Sequence, residues 1–127
     1  MTGYARLLVV GIVLWTGGTL LIRVFGQRVL PVDNAAAIFL LFAVSFAACA
    51  WLVRLACRRA RLAPADWPAG AIAILLPTLV LDPFSSAFFP AVFPNLPPQA
   101  AGVFGGWMLC CCAGGLIGVS LRRGAAA

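Results

Sequence analysis

Histidine, lysine and glutamate are all missing from the 127 residues, and only three acids remain: Asp33, Asp66 and Asp82. Without histidine the chain lacks the commonest proton shuttle and metal ligand. Without glutamate or lysine as well, no nucleophile–base pair, metal-ligand set or phosphate loop can be assembled from the sequence. The chain is therefore expected not to be an enzyme, and to hold no metal and no cofactor. Charge is scarce too. Only 9% of residues are charged while 64% are hydrophobic, and the mean hydropathy is +1.08. A soluble domain surrounds itself with charge on roughly a quarter of its residues. This chain cannot do so, and its solvent must be lipid. Cysteine is present five times, yet no two cysteines have CxxC spacing, which argues against a thioredoxin-like or zinc reading. Their apolar settings fit small buried residues.

What the chain does have is long apolar runs. Four stand out: Leu7–Ile22, Ala35–Val53, Ala63–Leu81 and Ala100–Leu121. A helix crosses about 30 Å of hydrocarbon with roughly 20 residues, and each spanning segment must satisfy its own backbone. The expected fold is an all-α integral membrane four-helix bundle in one domain, residues 1–127, with helices near 5–26, 35–57, 63–82 and 100–121. The first run has no small-x-small cleavage site promptly after it, so it reads as a retained helix rather than a signal peptide.

All nine basic residues are arginine, and their placement orients the bundle. With the N-terminus in the cytoplasm, Arg6, Arg54, Arg58, Arg59, Arg61, Arg122 and Arg123 fall inside, and only Arg23 and Arg28 fall outside. That bias predicts both termini inside and a multi-pass protein of the inner (plasma) membrane. Arg54, Arg58, Arg59 and Arg61 lie on the second connection, where they suit anionic lipid headgroups. A nucleic-acid role would need a soluble basic face, and none is expected.

Every fourth residue of the last run is small: Gly102, Gly106, Cys110, Gly114 and Gly118. Small residues let helix backbones approach where no hydrophobic effect drives association. The ladder's partner is either another helix of the same chain, for which Gly11 and Gly18 offer a smooth patch, or the same helix of a second copy, which would make a homodimer.

Between the third and fourth helices lies "VLDPFSSAFFPAVFPNLPPQ", Val80–Gln99, with one acid, five prolines and four phenylalanines. Pro83 is expected to end the third helix, and Pro77 removes the usual donor for the Ala73 carbonyl. The prolines forbid continuous helix and the phenylalanines forbid free solvation. The segment is therefore expected to be non-helical and to lie in the outer interface or cap the bundle. Asp82 would then sit at the outer lip, level with Arg23. An ion pair with Arg23, or failing that Arg28, is expected, and neutralising both partners should cost less than the sum of the single losses. The competing reading makes Asp82 a proton or cation site.

Leu81–Asp82, the run "FFPAVFPNLPP" and the Gly/Trp-rich last helix resemble a family of uncharacterised bacterial four-helix membrane proteins, grouped as a domain of unknown function. The likeness spans about Leu75–Leu121 and is carried by Asp82, Phe88, Phe89, Pro90, Val92, Phe93, Pro94, Asn95 and Trp107. It implies location and architecture, with no activity. The first functional expectation is a non-enzymatic binding or accessory protein among membrane lipids. The alternative is a small proton- or cation-coupled transporter using Asp82. Small four-helix exporters have a similar length, but they carry their membrane acid in the first helix, where this chain has none.

Overall fold

The computed structural model of the chain describes residues 2–126, with side chains described through Leu121. Five helices run in the order α1 (Gly3–Val29), α2 (Ala35–Arg59), α3 (Trp67–Ala87), α4 (Phe89–Val92) and α5 (Ala100–Ala126). A 3-10 turn, Pro64–Asp66, leads into α3, and there is no strand among the described residues. The stretches Gly3–Val29, Ala35–Arg59, Pro64–Ala87 and Ala100–Leu121 are each long and apolar enough to cross a membrane.

The helix ends follow local chemistry. The Thr2 hydroxyl accepts from the Ala5 amide at 3.2 Å, and Asn34 Oδ1 accepts from the Ala37 amide at 3.1 Å. Each satisfies one of the orphan donors of a first turn. Helix α2 closes with the Leu62 amide donating to Cys57 O and the Arg61 amide to Arg58 O. These are the paired bonds of a Schellman motif. Its left-handed position is held by Arg61, at φ 57°, where glycine is the usual occupant.

Helix α3 departs from the expected 63–82 at both ends. It starts at Trp67, after the 3-10 turn, and runs through Pro77 and Pro83 to Ala87. Each proline leaves one carbonyl without its usual donor, but packing against neighbouring helices sustains the coil in an apolar setting. At Pro77 that packing is visible. A Cβ on Gly11 of α1 would overlap the Ile74 carbonyl and lie 3.1 Å from Pro77 Cγ, so only glycine admits α3 this closely. The Pro/Phe stretch is accordingly more helical than expected. Its first residues belong to α3 and Phe89–Val92 forms the single turn α4.

Close contacts give the direction of each pair. Along α1 and α3, Leu7 meets Gly70, Gly11 meets Ile74 and Pro77, and Trp15 meets Asp82, so the two helices run parallel. Along α2 and α5, Phe42 meets Gly106, Phe46 meets Gly114 and Ala50 meets Gly118, again in parallel. The pairs join through α3 and α5, which are antiparallel: Leu75 lies beside Gly115 and Ser86 beside Gly105.

The ladder of small residues therefore packs within the chain, on α2 rather than on Gly11 and Gly18. A Cβ on Gly114 would overlap the Phe46 backbone, and one on Gly118 would lie 2.8 Å from Ala50 Cα. Cys110 donates its thiol to Phe42 O at 3.4 Å. Only Gly102 stands apart, with nothing within 4 Å of an added Cβ. Four of the five ladder residues thus face α2 of the same chain.

Two buried clusters close the bundle at opposite ends. One gathers Leu7, Val53, Cys57, Trp67, Ala71, Ile74 and Val119. The other gathers Ile22, Leu30, Phe89, Phe93, Leu96, Ala100 and Phe104. In the second, the rings of Phe89, Phe93 and Phe104 meet in tilted pairs with centroids 5.0–5.8 Å apart, a favoured aromatic geometry. Phe84 and Phe88 remain exposed. The side chains of Arg122 and Arg123, which contributed to the orientation bias, lie outside the described residues.

Candidate functional site: a carboxylate in a hollow mid-bundle

Between the two clusters the bundle is open. Helices α1 and α2 hardly touch, and a cleft of about 630 Å³ lies between them, floored by α3 and α5. Its walls are mostly apolar, with Leu14, Ile22, Leu52, Leu75 and Phe104 among them. A few polar side chains interrupt these walls. Thr19 and Thr78 offer hydroxyls, and Asp82 offers the one carboxylate in the cleft.

Asp82 is buried, at 7% exposure. Its Oδ1 accepts a 2.8 Å hydrogen bond from Trp15 Nε1, while its buried Oδ2 has no partner. Indole is a neutral, donor-only group, so it satisfies one oxygen without supplying a counter-charge. The carboxylate also borders a second, smaller cavity of about 210 Å³, lined by α3 and α5 residues alone, including Pro83, Ser86 and Gly105. Asp82 thus stands in the α3–α5 seam with space on either side of it.

The expected ion pair is not formed. Among the described residues no salt bridge involves Asp82; Arg23 instead donates from Nη1 to the Val92 carbonyl at 3.0 Å. The reason is depth. Trp15, the partner of Asp82, lies beside the midpoint of α1, while Arg23 lies eight residues further on, roughly 12 Å along the axis at 1.5 Å per residue. Asp82 is not at the lip. It sits near mid-depth of α1, because α3 continues past Pro83 and the α4 segment folds over the end of the bundle.

Arg23 and Asn95 share the work of holding that segment. Asn95 donates from Nδ2 to Ile22 O at 3.0 Å and to Gln27 Oε1 at 2.8 Å. Arg28 is exposed. Of the four arginines assigned to headgroups, Arg58 places its guanidinium 5.9 Å from the centroid of the Trp67 ring. That is within cation–π reach. Arg58, Arg59 and Arg61 are exposed and Arg54 is partly buried.

Several residues of the cleft carried no clear signal in the sequence. Trp15 looked like any apolar residue of a span. Trp107, marked only as part of the family likeness, also lines the cleft, with its Nε1 donating to Ser45 Oγ at 2.6 Å. Cys49 of α2 and Cys111 of α5, 62 positions apart, both line its wall. Pairings between distant spans follow from helix register, which no short spacing encodes.

Four apolar helices around a buried acid define a helical bundle compatible with a membrane. The chain belongs to DUF5367, a family of unknown function whose pattern matches residues 29–125. No curated protein and no solved structure matches it.

Proposed function

We propose that this is a multi-pass protein of the plasma membrane, with both termini cytoplasmic, that binds a small molecule within the bilayer and performs no chemistry on it. The observation that carries the reading is the buried Asp82, with one carboxylate oxygen unpartnered, in the wall of a largely apolar cleft of about 630 Å³. Small-molecule sites have this character, an apolar enclosure of several hundred Å³ with few polar groups. The acid is also costly where it stands. A charge at the centre of a membrane helix costs about 2.5–3.5 kcal/mol on insertion scales, and such residues mark functional positions. The absence of His, Glu and Lys supports a role without catalysis.

Filling the cleft tests this reading. Gly18 lines it and has nothing within 4 Å of an added Cβ, so Gly18→Leu intrudes on the hollow without disturbing the packed helices. Native mass spectrometry of protein purified with its membrane lipids should show a small-molecule or lipid adduct on the parent protein that Gly18→Leu lacks. Equal occupancy of both proteins would refute the reading. A reporter fused after Ala127 should respond from the cytoplasm, and an external response would overturn the orientation.

A second reading is proton- or cation-coupled transport, favoured by the position of Asp82 between two cavities. Purified protein in liposomes should then pass protons in response to an imposed potential, and Asp82→Asn should abolish the flux.

A further inference from the structure

We infer that the ligand of the cleft is a hydrophobic organic monocation, with Asp82 as its counter-ion. The inference rests on the binding reading above and specifies its chemistry.

Charge bookkeeping along the cleft gives the sign. Besides Asp82, the charged residues lining it are Arg6 and Arg59. Arg6 lies nine residues from Trp15 on α1 and Arg59 ten from Cys49 on α2, roughly 14 Å along the helices. Arg23 is engaged with the Val92 carbonyl. No cation of the protein reaches Oδ2, and a buried carboxylate without one is strongly disfavoured. An anionic ligand would add repulsion. A neutral hydrogen-bond donor would satisfy the oxygen without offsetting the cost of ionising the acid in this setting.

The surroundings exclude a bare metal ion. Hard cations take six or more oxygen ligands or retain much of their water, whereas here one free carboxylate oxygen and two threonine hydroxyls stand among apolar walls. No group of three His, Cys, Asp or Glu able to hold a metal exists among the described residues. What fits is a cation that brings its own hydrocarbon. Trp15 and Trp107 line the same cleft and place aromatic rings in its walls, the side-chain type that attracts a positive centre. They are held by hydrogen bonds to Asp82 and Ser45. The gap between α1 and α2 is an entrance from the lipid for a molecule of this kind.

Two probes of the same shape and opposite charge decide the matter: tetraphenylphosphonium and tetraphenylborate, measured by equilibrium dialysis against the full chain in detergent, with empty micelles subtracted. Tetraphenylphosphonium should bind saturably and the borate should not. Asp82→Asn should weaken phosphonium binding about 30-fold or more, the usual loss when one member of a buried charge pair is removed. Gly18→Leu should weaken it as well. Equal binding of both probes, reduced by Gly18→Leu, would overturn the cation inference and leave the cleft as a binding site. Phosphonium binding unchanged by Gly18→Leu would overturn both readings. If Asp82→Asn fails to fold, the comparison of the two probes on the parent protein still decides the sign.

Discussion

At the scale of single residues, the bond between Trp15 and Asp82 is the most consequential in the bundle, because it satisfies one oxygen of a buried acid. Removing its donor leaves both carboxylate oxygens without a partner, which typically costs 1–3 kcal/mol. Trp15→Phe should therefore lower the unfolding temperature in detergent. Asp82→Asn should cost less, since its amide oxygen can still accept from the indole and the buried charge is gone. The same geometry predicts that Asp82→Asn and Arg23→Gln act independently. Their losses should add within about 0.5 kcal/mol, as for separated sites without a shared partner. Coupling between them in thermal unfolding would contradict the arrangement found here. Asp82 stood out in the sequence, because an acid in an apolar run is conspicuous whatever the fold. The sequence misplaced the partner, because depth was judged from Pro83 as a helix terminator. Inside a packed apolar helix, proline is tolerated.

At the scale of elements, the register of α5 on α2 was half legible. A four-residue repeat of small side chains is a local pattern, so the existence of a close helix contact follows from it. Which helix fills the groove depends on Phe42, Phe46 and Ala50, ordinary apolar residues that carry no mark of their role. The contact is graded along its length. Gly114→Leu drives a branched side chain into the Phe46 backbone and should destabilise the protein by several times more than Gly102→Leu, whose Cβ enters open space. Chemical or thermal denaturation of the two variants checks this, and similar losses would mean that α2 does not cover the ladder. The turn after α2 offers a test of the opposite sign. Arg61 sits in the left-handed region, which costs an L-residue roughly 1–2 kcal/mol. Arg61→Gly should therefore raise stability by about 1 kcal/mol, provided that its side chain contributes little at the exposed surface. A loss of stability would show instead that Arg61 makes a contact worth more than the strain.

At the scale of the whole molecule, the bundle is two packed ends around a hollow middle, a form that apolar patterning alone does not reveal. Hydropathy marked four spans because each is continuous, but it is blind to which stretches of a span are packed and which face a void. Nor could it show that the Pro/Phe segment would join Ile22 and Leu30 in a core of its own. Two cores without shared residues imply that the ends respond to damage separately. Phe93 is wholly buried in one of them, its ring in tilted contact with those of Phe89 and Phe104. Phe93→Ala removes a ring from a closed cluster, a change that costs about 3–5 kcal/mol in packed cores. The loss should be local. Amide exchange should speed up over residues 89–104, where the segment is held by Arg23 and Asn95 as well as by the rings. Protection over residues 46–57 should persist, because those residues pack on Gly114, Gly115 and Gly118 and join the other cluster through Val53 and Cys57. Uniform loss of protection in both regions would mean that the bundle opens as one cooperative unit, and that the hollow does not divide it.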